Sequence, residues 1–151
     1  FDFISWIFKK RRAKKPKDER FYIIPGVKQM LTQLSEKYPM AVVSARDAET
    51  TAHFLEHFDL LGYFNVVVTA QTCKYTKPNP DPVIFAAEKL GLNPEDCLMI
   101  GDTVVDIKAG KSASAQTVGV LCGFGTLREL KRVGADMILS ITPDLIKILR
   151  D

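Results

Sequence analysis

The chain has 151 residues, 46% hydrophobic and 26% charged, close to the soluble average, which excludes disordered, collagen-like and disulfide-scaffold classes and leaves room for one domain with a real core. No apolar run approaches the roughly 18 residues that a membrane span needs, so a soluble protein is expected. The net charge of +3 is unevenly placed: residues 9–20 carry eight Lys/Arg against two acids, and residues 21–151 carry thirteen against fifteen, which leaves the body mildly acidic.

Taken in chain order, the sequence opens on Phe1 with FDFISWIF ahead of the basic run, the reverse of a secretory signal. Residues 1–20 read as a basic helical remnant or linker with a solvated face, and neither nucleic acid nor membrane is expected as a partner. From there the pattern alternates. Pro25 is placed to open a helix that runs to about Tyr38. Short apolar runs at 40–43, 66–68, 98–100, 117–121 and 137–139 suit strands buried on both faces. Between them, Thr51, Phe54, Leu55 and Phe58 form one helical stripe, and Val83, Ala86, Ala87 and Leu90 form another, ended by Gly91. Thr126 and Glu129 make a capping box for a helix that Gly134 closes. Strand, helix, strand in repetition implies right-handed crossovers and an α/β, doubly wound, three-layer (Rossmann-like) parallel sheet over residues 21–151. Cys73, Cys97 and Cys122 fit neither a disulfide framework nor a metal site, and a reducing, cytoplasmic setting is expected.

Ligands of such sheets bind beyond the carboxyl ends of the strands. One strand runs into Ser44, the next into a loop carrying Lys77, and a third into Asp102, with Asp106 one helical turn later. Taken singly, these are a strand end, a surface lysine and a helix cap. Together they suit phosphate chemistry with a hard divalent cation. Asp102 and Asp106 supply oxygen ligands for Mg²⁺, Lys77 offsets phosphoryl charge, and the Ser44 hydroxyl holds a remaining oxygen.

Three other patterns carry less. Gly110-Lys111-Ser112 ends like a phosphate-binding loop but lacks its first glycine and falls inside a helix. Gly123-Phe124-Gly125 lacks the third glycine of a dinucleotide fingerprint. His53 and His57 match a zinc-peptidase spacing, yet both lie off the apolar stripe of their helix, on a solvated face.

Three segments in order resemble the haloacid dehalogenase superfamily of phosphohydrolases, and its phosphoglycolate phosphatase-like members in particular. They are Ala41-Val42-Val43-Ser44, then Lys77-Pro78-Asn79-Pro80-Asp81-Pro82 followed by Ile84-Phe85, then Ile100-Gly101-Asp102 through Asp106. The resemblance covers residues 22–150. It implies a Mg²⁺-dependent phosphatase of small phosphate monoesters acting through an aspartyl-phosphate. Ser44, Lys77, Asp102 and Asp106 would then be the catalytic set, with Ser44, Ala45, Arg46 and Lys77 on the substrate and Asp102 and Asp106 at the metal.

The resemblance has gaps. The family's DxDGT, which supplies the attacking aspartate, has no counterpart here, since Asp2 stands in FDFIS with neither a second acid nor Gly-Thr. The usual Asn after Ser44 is Ala45, and a usual Gly near the end of the last motif is Ser114. The chain is therefore expected to lack its first strand, to carry in 1–20 the end of a cap, and to be inactive alone. A nucleophile-free binding or regulatory module is the alternative. A phospho-receiver is excluded because Lys77 precedes Asp102. In the resembling family the missing strand lies between those at 40–44 and 98–101, so a strand from a second copy or a retained upstream peptide is expected to fill the slot, or the chain to aggregate, with Phe1 to Phe8 a poor substitute. Lys77 and Asp102, at strand-end loops, are expected to tolerate substitution with little loss of stability.

Overall fold

In the computed structural model, residues 23–149 are described; the expectations for residues 1–20, and for Phe1 to Phe8 as a substitute strand, lie outside them. The elements follow in chain order as α1 (Val27–Ser35), β1 (Ala41–Val43), α2 (Ala48–His57), β2 (Val66–Val68), α3 (Asp81–Leu90), β3 (Leu98–Gly101), α4 (Val104–Ser112), β4 (Gln116–Val120), α5 (Leu127–Arg132), β5 (Met137–Leu139) and α6 (Leu145–Ile148). All pairings are parallel, as the continuous apolar runs require: β1 with β2, β3 with β4, and β4 with β5. Among the described residues the sheet therefore comes in two pieces, β1–β2 and β3–β4–β5. The division falls between β1 and β3, where the resemblance implies the family's first strand.

Strand alternation builds the three layers. Val42, Leu98, Ile100, Val118 and Val120 share one buried cluster with Met30 and Leu31 of α1, Phe54 and Leu55 of α2, and Leu145 of α6. Ala41, Val43 and Met99 point the other way, into a second cluster with Val83, Ala86 and Ala87 of α3 and Ala109 of α4. Each cluster draws on both pieces of the sheet, so the hydrophobic layers run continuously past the division. No helix among the described residues is long and apolar enough to cross a membrane.

One boundary differs from expectation. The first helix begins at Val27 rather than Pro25, because Gly26 takes a left-handed φ of 87° that no helical turn accommodates, and it stops at Ser35, short of Tyr38.

Four helices end in one pattern, in which a left-handed residue lets two amides turn back onto the last carbonyls. Gly91 and Gly134 fill that position after α3 and α5. After α2 it is Asp59, at φ 54°, and after α4 it is Ser114, at φ 66°. Around Ser114 the bonds are complete, with Ser114 N donating to Lys111 O at 3.0 Å and Ala115 N to Gly110 O at 2.9 Å. The family's usual glycine is thus replaced without loss of the turn, at the cost of a Cβ in a conformation that disfavours it. Ser114→Gly is expected to stabilise the protein by about 1 kcal/mol, read by urea unfolding.

A closed set of polar bonds joins β4 to the segment entering β5. Thr117 N and Oγ1 donate to Asp136 Oδ2 at 2.9 and 2.8 Å, and Asp136 N returns a bond to Thr117 Oγ1 at 3.1 Å. The Thr117 hydroxyl holds the Asp136 carboxyl below the ordinary carboxylate value, helped by its backbone amide and by Lys111. A depressed carboxyl contributes stability that is present above its unfolded value and lost as pH falls through the folded one. Asp136→Asn should therefore lower stability at neutral pH by no more than about 1 kcal/mol, because the group is half exposed. Part of the acid-induced loss of stability below the ordinary carboxylate range should vanish with it, as thermal melts at stepped pH will show.

Candidate active site

The four predicted chemical residues come together at the carboxyl ends of β1 and β3. Ser44 directly follows β1, with its amide donating to Val68 O at 2.8 Å, so the edge of the β1–β2 pair positions it. Its hydroxyl oxygen accepts from Arg46 N at 3.1 Å and from the buried Thr51 Oγ1 of α2 at 3.3 Å. Of the two residues expected beside it, Ala45 is exposed and Arg46 is half buried.

Lys77 reaches in from the loop before α3. Its ammonium donates to Val43 O at 2.8 Å, the carbonyl just before Ser44, and to Asp106 Oδ1 at 2.5 Å. The side chains of this pair are only 6% and 7% exposed. Asp106 is used twice over, since its Oδ2 accepts from Thr103 N at 3.1 Å and Thr103 Oγ1 at 2.9 Å, closing a capping box on α4. The expectation that Lys77 is replaceable at little cost in stability is therefore at odds with the geometry. Loop placement suggested a solvated lysine, whereas the ammonium is the buried counter-charge of a buried carboxylate.

Asp102 behaves differently. It is 7% exposed, its Oδ2 accepts from Phe124 N at 2.8 Å, and its own carbonyl accepts from Gly125 N at 2.8 Å. Burial pushes its carboxyl above the ordinary value and Asp106 adds to this, while the Phe124 amide and Lys77 pull it back only in part. Among the described residues no side chain donates a hydrogen bond to it, so a buried carboxylate faces the site with backbone donors alone. It is the residue here that fits a hard cation. Asp106, with both oxygens engaged, fits a supporting place. No cluster of three or more His, Cys, Asp or Glu stands among the described residues.

Two contributors were missed in the sequence. The 123–125 loop, set aside as a failed dinucleotide fingerprint, is the clamp on Asp102: a Cβ on Gly123 would fall inside the Asp102 carboxyl, and one on Gly125 would fall against its carbonyl. Glycines on both sides of an amide donor were the available signal. Thr51, read as part of an apolar stripe, was the other, and its signal was a hydroxyl on a face that otherwise carries Phe54 and Leu55. The histidines are as expected: His53 and His57 are exposed and stack on each other, with ring centroids 6.1 Å apart.

Comparison with known proteins bears on the family. The haloacid dehalogenase-like hydrolase family matches residues 3–120. The chain belongs to that family. Among curated relatives, the phosphoglycolate phosphatase of Escherichia coli K12 is 31% identical over 133 residues, 87% of this chain and 53% of the relative. That of Aquifex aeolicus is 36% identical over 135 residues, 89% and 59% respectively. The chain thus spans a little over half the length of these relatives. Among solved structures, a predicted phosphoglycolate phosphatase from Haemophilus somnus 129pt superposes with a TM-score of 0.79 at 30% identity, over 87% of this chain and 58% of that one. A beta-phosphoglucomutase from Clostridium difficile superposes with a TM-score of 0.71 at 28% identity, over 85% and 53%.

Removing Lys77 should leave the Asp106 carboxylate buried without its counter-charge. Lys77→Met is expected to cost about 3–5 kcal/mol in urea unfolding at neutral pH, and Lys77→Met with Asp106→Asn much less than that. A Lys77→Met protein as stable as the parent sequence would show the pair to be dispensable to the fold.

Proposed function

We propose that these residues form most of the core of a Mg²⁺-dependent phosphatase acting on small phosphate monoesters. What supports the reading is the convergence of Ser44, Lys77, Asp102 and Asp106 on one strand edge, with Lys77 joining the carbonyl before Ser44 to Asp106. The phosphoglycolate phosphatases among the relatives point to a small, anionic phosphate ester.

In this reading Ser44 donates its hydroxyl to a phosphoryl oxygen, with the amide of Ala45 at the same turn, while that of Arg46 stays on the Ser44 oxygen. Lys77 lowers the charge at the phosphorus while Asp106 holds the ammonium in place. Asp102 would hold the cation, and Asp106, tied to Lys77, would support that place. When bound, Mg²⁺ supplies a hard positive charge that offsets the phosphoryl oxygens. The attacking aspartate is not among these 151 residues, as no DxDGT stands in them; the position between β1 and β3 is where we place the strand that brings it. Turnover then depends on that strand, and these residues alone bind without turning over. The second reading is a family member that binds phosphate esters without hydrolysing them.

The experiment is p-nitrophenyl phosphate and 2-phosphoglycolate turnover with and without Mg²⁺ by the full-length protein. Turnover abolished by chelation supports the phosphatase, and Mg²⁺-dependent binding without turnover supports the second reading. Asp102→Asn should melt higher than the parent sequence in chelator, because a disfavoured buried charge is gone, and should lose the stabilisation that Mg²⁺ gives. Its turnover should fall by about two orders of magnitude or more. A variant that keeps its Mg²⁺ response removes Asp102 from the metal site.

A further inference from the structure

Thr51 lies in the first turns of α2, seven residues after Ser44, and is fully buried beside Phe54 and Leu55. Packing alone would be served by valine, which has nearly the same shape, whereas a buried hydroxyl without a partner costs about 1–3 kcal/mol. In helices a threonine hydroxyl commonly turns back to the carbonyl four residues earlier. Here that carbonyl, Asp47 O, takes the Thr51 amide at 3.1 Å, and the hydroxyl instead crosses to Ser44 Oγ at 3.3 Å.

The consequence lies in the arithmetic of the serine. A serine hydroxyl offers two acceptor lone pairs and one proton. Arg46 N takes one lone pair at 3.1 Å and Thr51 takes the other, and no acceptor for the Ser44 proton stands among the described residues. With both lone pairs engaged, Ser44 can serve a ligand only as a donor. Phosphoryl oxygens of a monoester dianion are acceptors only, so the two match.

We propose that Thr51 is a positioning residue: through its buried hydroxyl it fixes Ser44 as a one-way donor, which selects for an acceptor-only anion. The inference rests on the phosphate reading of Ser44 and adds a residue to it. Because Thr51 touches no ligand itself, its effect passes entirely through Ser44.

The test is calorimetric titration of inorganic phosphate into the full-length, Mg²⁺-loaded protein, with p-nitrophenyl phosphate kinetics and a thermal melt for each variant. Thr51→Val should weaken phosphate binding roughly three- to tenfold and raise KM by a similar factor, with a smaller change in kcat. Thr51→Ser, which keeps the hydroxyl, should restore both. In a Ser44→Ala background, Thr51→Val should have no further effect. Unchanged phosphate binding in Thr51→Val, or an equal loss with and without Ser44, overturns the inference while leaving Ser44 as a phosphate ligand. Absence of phosphate binding, or binding indifferent to Ser44→Ala, instead overturns the phosphate reading and this inference with it. Should Thr51→Val fail to fold, Thr51→Ala against Thr51→Ser carries the same comparison.

Discussion

The ion pair of Lys77 and Asp106 organises this molecule. It is buried on both sides, and its ammonium also holds the Val43 carbonyl, so a single side chain joins the loop before α3, the end of β1 and the first turn of α4. Taking two charges out of water is expensive, and such a pair persists only where further hydrogen bonds satisfy both partners. Here they do, since Thr103 donates twice to the second carboxylate oxygen. The arrangement bridges the β1–β2 and β3–β4–β5 pieces at the edge where the chemistry is placed, while the two apolar clusters bridge them on either face.

The pair also sets the character of its neighbours. With Asp106 matched by Lys77, the remaining carboxylate, Asp102, lies buried with backbone amides as its hydrogen-bond donors among the described residues, and its disfavoured charge is the local imbalance that a cation would correct. Ser44 shows the complementary economy, a hydroxyl whose accepting side is used up within the protein. Each group is left with one kind of interaction to offer, and the kinds differ: a donor from Ser44, a negative charge from Asp102.

Much of this was legible in the sequence. Continuous apolar runs announced parallel strands because strands covered on both faces need no polar side, and the ends of those runs pointed to Ser44 and to Asp102, with Asp106 a helical turn later, which the structure brings to one edge. Capping chemistry was legible at Thr126 and Glu129, whose reciprocal bonds are both present. What escaped was anything depending on how far a side chain reaches in three dimensions. Lys77 looked solvated because its loop is, and only the packed structure brings its ammonium to Asp106. Thr51 looked like packing because its helical face is apolar, and the Ser44 hydroxyl that it meets lies on a different element. Gly26 was overlooked beside the more familiar signal of Pro25, although its left-handed φ decides where the helix can start.

The 123–125 loop divides its labour between backbone and side chain. The Phe124 amide grips Asp102, the flanking glycines let the backbone come that close, and the Phe124 ring points away, 59% exposed. Because the grip is made by an amide, which every residue but proline carries, the identity of the side chain at 124 is decoupled from the geometry of the carboxylate. Mutation can thus explore the rim of the site at this one position, changing what the protein meets, while the chemistry beneath stays in register. A loop built this way lets a lineage vary the rim without rebuilding the floor beneath it.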